Sequence, residues 1–147
     1  MTHEEIRAAI ADNPSLLVLD GSGHPDTTAT ADALSAGRTR LGTVSVGDFA
    51  SWAAATGMRA VIEDHAANAA SPMRSIALAL RDVLTGATGG IRLDLQTNVD
   101  MLAAWVSAGL LSTANRDALL ALATTPDPVP EFEVRCAIYA DDGTLRV

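Results

Sequence analysis

The sequence predicts a mainly α-helical fold, a compact bundle or orthogonal array of six to eight short helices with room for one short extended segment. Of the 147 residues, 28 are alanine and only 3% are aromatic. Small side chains such as alanine suit closely packed helices better than β-strands, which favour bulky β-branched and aromatic side chains. Helix start and stop signals also recur along the chain, with joints of about two to five residues between them. A chain of this length corresponds to one domain, so we expect a single helical domain over residues 1–147.

Seven segments combine a capping residue or proline at the start with a glycine, asparagine or proline stop. The first is the clearest, because Thr2 and Glu5 are spaced as a capping box. Ser71-Pro72 is a second strong start signal. We predict helices over approximate ranges 3–12, 28–36, 46–55, 58–70, 72–85, 98–108 and 113–123.

Three further segments carry mixed signals. The apolar run Leu16–Leu19 is too short to classify and is either a short strand or a helical turn docked into the core. Residues 38–44 alternate weakly and contain β-branched side chains, which indicates an extended segment. Residues 124–130 hold three alternating prolines and form a joint. Residues 131–140 combine helix start signals with β-forming side chains, and we favour a helix there. We expect residues 124–147 as a whole to form a proline-rich joint followed by a C-terminal docking tail.

The charge pattern narrows the classes of partner. Thirteen Asp and five Glu face ten Arg and no Lys, for a net charge of −8. The arginines are scattered instead of clustered, which disfavours direct binding of nucleic acid. No apolar run approaches the roughly 20 residues that span a bilayer, and no signal peptide is visible. We therefore expect neither a nucleic-acid nor a membrane partner.

The residues that usually carry chemistry do not form a recognisable set. Cys136 is a single cysteine, and the three histidines are not spaced as metal ligands. The glycine-rich stretch 86–90 lacks the Lys and Ser/Thr of a phosphate loop. We therefore predict no enzyme, no metal, no cofactor and no small-molecule substrate. One enzymatic alternative stays open, in which a pocket gathers His24 or His65 with an aspartate.

Three stretches together carry a resemblance. They are 29–40 (ATADALSAGRTR), 102–112 (LAAWVSAGLLS) and 116–123 (RDALLALA), the last running into Pro126–Val129. Together they resemble a group of small helical proteins of unassigned role, encoded among the structural and tail genes of tailed bacteriophages and prophages. The resemblance implies a virion-associated or phage-encoded accessory protein, and it supplies no catalytic residues.

From these observations we expect a non-enzymatic structural protein of the virion, an accessory of the capsid, tail or fibre that acts by protein–protein contact. It would be assembled in the host cytoplasm and would bind other virion proteins, with a second copy of itself as a further option. The candidate contact residues lie in the tail and are Phe132, Tyr139, Leu145 and Val147. The alternative is an acidic phage effector that binds and inhibits a host protein, its carboxylates gathered on one face.

Overall fold

The structure, a computed structural model, describes residues 1–146 and is mainly helical there, as predicted. Eight α-helices in this range alternate with short connections and two small pairs of strands. The helices are α1 (His3–Asp12), α2 (Thr27–Ser35), α3 (Val46–Ala55), α4 (Met58–Ala67), α5 (Arg74–Leu84), α6 (Gln96–Ser107), α7 (Thr113–Ala123) and α8 (Glu131–Ile138).

Four short strands form two ladders in the described residues. They are β1 (Thr39–Leu41), β2 (Thr43–Val44), β3 (Ile91–Arg92) and β4 (Thr124–Pro126). β1 pairs with β4, and β2 runs antiparallel to β3 with Val44 opposite Ile91. The extended segment predicted at 38–44 is thus confirmed, whereas its partner strands carry no sequence signal strong enough to predict them.

Side-chain caps explain where four of the eight helices begin. Thr2 and Glu5 form the predicted capping box at α1. The side chains of Asp26, Ser45 and Ser112 each accept a backbone N–H in the first turn of α2, α3 and α7.

Three predicted boundaries are wrong by two residues or more. α6 begins at Gln96 and not at residue 98, since Leu95 is its N-cap residue. α5 begins at Arg74 and not at Pro72, because the Ser71 hydroxyl accepts the Met73 N–H in a turn before the helix. α4 ends at Ala67 instead of Ala70, where Asn68 leaves the helical conformation.

The run Leu16–Leu19 splits between two kinds of structure. A 3-10 helix covers Pro14–Leu16, and Leu19 then forms a single antiparallel bridge with Pro25. The Leu19 side chain is exposed, whereas Leu16 and Leu17 pack against a core cluster, so only part of the run is docked into a core.

The chain divides into two compact units. Unit 1 comprises Met1–Thr39 with Pro126–Val147, and unit 2 comprises Arg40–Thr125. The boundaries fall within β1 and β4, where the chain passes from one unit to the other and back. Whether the units unfold together as the single domain expected from the sequence stays a prediction.

Unit 2 is organised around Trp105, which is fully buried. Phe49 and Trp52 of α3 stack beside each other with ring centroids 5.3 Å apart. The Trp52 indole N–H donates to the Asn115 carbonyl at 3.0 Å. On α6 the buried residues are Leu102 and Trp105, whereas Ala103 is exposed.

Unit 1 packs α1, α2 and α8 around a second apolar cluster. Its fully buried side chains include Ile6 of α1 together with Val134 and Ile138 of α8. The one buried polar side chain among the described residues, Thr30 of α2, accepts the Val18 N–H at 3.0 Å. Helix α8 is therefore part of the core of unit 1 on one side, and its other side is exposed to solvent.

The α1 cap makes the stability of the protein sensitive to acid. The Thr2 N–H donates to Glu5 at 2.7 Å, and the bonds to Thr2 hold the pKa of the Glu5 carboxyl below its ordinary value of 4.5. Because the folded state lowers this pKa, its contribution is complete above about pH 4.5 and is lost as the pH falls through the lowered value. We expect Glu5→Gln to reduce the loss of stability between about pH 5 and 3, measured by urea unfolding.

Thr2→Ala serves as the matched variant for this prediction, because it removes the other half of the same box. The double variant should show no further change in the acid dependence of stability. If Thr2→Ala and Glu5→Gln changed the acid dependence of stability additively, this would contradict its assignment to the capping box.

Candidate functional site

The outward side of α8 presents a large apolar residue to solvent. Phe132 is 70% exposed, the highest value among the exposed large hydrophobic side chains of the described residues. Arg135 follows it by three residues, which places it on the same side of the helix. Tyr139, the extended residue that caps the end of α8, is half-buried and packs against the core cluster of unit 1. The core residues Val134 and Ile138 occupy the opposite side. The exposure of Phe132 is therefore not a consequence of a poorly packed helix.

The chain after α8 folds back as a short hairpin. Tyr139 forms an antiparallel bridge with Leu145, and the Arg146 N–H donates to the Ile138 carbonyl at 2.7 Å. At the turn, Asp142 accepts the N–H and the hydroxyl of Thr144, and these bonds hold the pKa of the Asp142 carboxyl below its usual range. The segment is thus anchored to the end of α8, and Leu145 stays 55% exposed on it.

Three of the four predicted contact residues, Phe132, Tyr139 and Leu145, lie on α8 or on the hairpin that follows it. Together with Arg135 they define what we call the α8 surface. Arg135 and Tyr139 line a cleft of about 440 Å³ that is completed by Pro25, Thr27 and the 140–143 turn. The fourth predicted residue, Val147, lies outside the described residues. The sequence analysis did not predict Arg135, although its spacing of three residues from Phe132 indicates that both lie on the same side of a helix.

A second cleft of unit 1, which we call the two-arginine cleft, measures about 390 Å³. It is lined by Arg7, Ile10 and Ala11 of α1, by Pro14 and Leu17, and by Arg146 of the C-terminal hairpin. Ile10 is buried, and Leu17 is packed against the same core cluster. The floor of this cleft is therefore apolar and its cationic groups come from opposite ends of the sequence.

Unit 2 contains a third cleft, of about 480 Å³. Leu80, Val83 and Ile91 form its apolar wall, and the glycine-rich stretch before β3 forms its edge. Leu95 at this cleft is 41% exposed. Sequence reasoning missed it because β3 and its pairing with β2, which bring residues 43 and 90–92 together, were not predicted.

The histidines do not meet in a pocket in the described structure. His65 bonds through Nδ1 to the Ser71 hydroxyl at 2.7 Å, and its ring lies 6.2 Å from that of Trp105. His24 belongs to a turn in which its backbone N–H donates to Asp20, while His3 pairs with Glu133 at 2.7 Å. These contacts link neighbouring elements, and neither His65 nor His24 lines any of the three clefts.

Two further kinds of functional feature do not occur among residues 1–146. No group of three or more His, Cys, Asp or Glu side chains is placed to hold a metal ion. No helix there has both the length and the apolar character needed to cross a membrane.

The chain was also compared with known proteins. No family model, no curated protein and no solved structure matches it.

Proposed function

We propose that this chain is a non-enzymatic structural protein of a phage virion that binds a neighbouring protein through the α8 surface. The observation that carries the binding function is the 70% exposure of Phe132 on a helix whose other side is fully packed. A large aromatic side chain beside an arginine and a tyrosine is the composition typical of energetically dominant contact residues. The virion as the setting is supported by the sequence resemblance described above.

The cost of leaving Phe132 in water supports the same proposal. Burying a phenylalanine side chain gains about 1.5–3 kcal/mol, and here that gain is not used for folding. Leu145, on the hairpin beside Tyr139, adds a second apolar group. A partner that covers both would gain apolar burial without requiring unit 1 to rearrange.

We expect Phe132→Asp and Leu145→Asp to reduce incorporation of the protein into particles. Loss of a dominant contact costs about 2 kcal/mol or more, which corresponds to about thirtyfold weaker binding. The measurement is quantitative mass spectrometry of purified particles made with each variant. Because both residues are exposed, the midpoint of thermal unfolding should stay close to that of the unsubstituted protein.

Leu122→Asp provides the matched control. Leu122 is 51% exposed, close to Leu145, but lies on α7 in unit 2. It should be incorporated at the normal level. Equal loss for Leu122→Asp and Leu145→Asp, or normal incorporation of Phe132→Asp, would contradict a role for the α8 surface.

A second candidate function is favoured by the distribution of charge. Unit 1 contains eleven of the eighteen acidic residues and four of the ten arginines, so the formal net charge is −7 for unit 1 and −1 for unit 2. An acidic effector that blocks a basic surface of a host protein would use such an asymmetry. This candidate predicts that the protein is absent from purified particles and forms a host complex that weakens steeply with salt.

A further inference from the structure

The two-arginine cleft supports an inference about which chemical group of a partner it binds. This inference rests on the proposed protein-binding function. Among residues 1–146, neither Arg7 nor Arg146 lies in an ion pair. This is unexpected in unit 1, where carboxylates outnumber arginines by eleven to four. Asp142 is near enough for Arg146 to lower its pKa slightly, but the hydrogen bonds to Thr144 are the main cause of that shift. Within the described residues, 1–146, both guanidinium groups therefore retain their capacity to bind an anion.

The apolar part of the cleft limits which anion fits. Ile10, Leu17 and Pro14 offer hydrocarbon, and a volume of about 390 Å³ is near the lower end of the roughly 300–1,000 Å³ of ligand pockets. A fitting group combines one carboxylate with one adjacent apolar side chain. Guanidinium groups bind carboxylates with charge-assisted and frequently bidentate hydrogen bonds.

We propose that the two-arginine cleft binds the C-terminal residue of a partner polypeptide that ends in an apolar side chain. The terminal carboxylate pairs with Arg7 and Arg146, and the side chain packs on Ile10 and Leu17. Binding of a chain terminus fixes the partner in a single position, because only the C-terminal residue of a polypeptide combines a main-chain carboxylate with a side chain. The α8 surface then supplies the larger apolar contact of the same unit.

Short peptides test this directly. N-acetyl-Ala-Ala-Leu with a free carboxylate is titrated into the ¹⁵N-labelled full chain, and the same peptide with an amidated terminus is the comparison. We expect the acid to shift the amide signals of Arg7, Ile10 and Leu17, and the amide to bind at least about tenfold more weakly. Equal binding of the two peptides, or shifts confined to other residues, would overturn the proposal.

Charge variants and a simpler anion complete the experiment. Arg7→Gln and Arg146→Gln should each weaken binding of the acid about tenfold, whereas Arg59→Gln, an exposed arginine of unit 2, should leave it unchanged. Octanoate distinguishes a peptide site from a site for any alkyl carboxylate, and octanoate binding as tightly as the peptide would overturn the C-terminal assignment. Amide spectra of each variant establish that it is folded.

This test is independent of that for the α8 surface. If Phe132→Asp prevents incorporation but the free-acid peptide does not bind, only the C-terminal assignment fails. If the peptide binds and Phe132→Asp is incorporated normally, the proposed role of the α8 surface is wrong and the proposed role of the two-arginine cleft is supported.

Discussion

Replacing Gly90 with alanine is expected to destabilise the protein by about 3 kcal/mol or more. A Cβ at this position would overlap the carbonyl oxygen of Val44 and lie 3.1 Å from the Thr43 methyl group. The backbone of Gly90 also has a φ of 131°, which L-residues with a side chain rarely adopt. Because Val44 is buried and paired with Ile91, neither partner can move without opening the β2–β3 ladder.

Gly89→Ala is the matched control for this expectation, since a Cβ on Gly89 has no neighbour within 4 Å. The two alanine variants differ by one position in the same loop and should differ in stability by most of the 3 kcal/mol. Urea unfolding followed by tryptophan fluorescence measures this, because both tryptophans, Trp52 and Trp105, lie in unit 2. Similar stabilities of the two variants would show that the contact with Val44 is absent.

Trp105→Ala should destabilise unit 2 by about 3–5 kcal/mol, the range for removing a large aromatic side chain from a packed core. Trp105 is the largest fully buried side chain among the described residues, and its removal would leave a large cavity in the core of unit 2. Trp52 remains as the fluorescent reporter. A loss below about 1 kcal/mol would contradict a central position for Trp105.

Phenylalanine substitutions separate packing from hydrogen bonding at the two tryptophans. The Trp105 indole N–H has no hydrogen-bond partner among the described residues, whereas that of Trp52 donates to Asn115. Trp105→Phe removes an unsatisfied buried donor, and Trp52→Phe removes a formed bond worth about 1 kcal/mol. We expect Trp52→Phe to be the more destabilising of the two although Trp52 is slightly more exposed. The reverse order would contradict the expectation that hydrogen bonding, and not packing, sets the difference between the two sites.

The helices could be predicted because their start signals are local. The Thr2–Glu5 spacing and the serines at 45 and 112 each satisfy backbone donors within one turn, so the neighbouring sequence contains the whole interaction. Ser71 is the exception, and its start signal was misleading. Its hydroxyl also bonds His65 of the preceding helix, a contact that the local sequence does not contain.

The candidate site was predictable only in part. Exposure of Phe132 follows from its position relative to Val134 and Ile138, a periodicity that the sequence displays. The two-arginine cleft does not follow from any local pattern, because Arg7 and Arg146 are separated by almost the whole chain. The unit 2 cleft depends on the pairing of β2 with β3, two strands of two residues each, which have too few side chains to show an alternation.

The discontinuity of unit 1 has a consequence for biosynthesis. During translation α1 and α2 emerge early, but the helix that completes their core, α8, follows only after all of unit 2. Within unit 2 the two ends meet, since the Gly42 N–H donates to the Ala123 carbonyl at 2.8 Å. Once unit 2 has folded on the ribosome, it shortens the effective loop between α2 and α8 and lowers the entropy lost when they associate. In the nascent chain α1 and α2 therefore lack their packing partner, and Ile6 and Ile10 stay uncovered, until the C-terminal part of the chain has been synthesised.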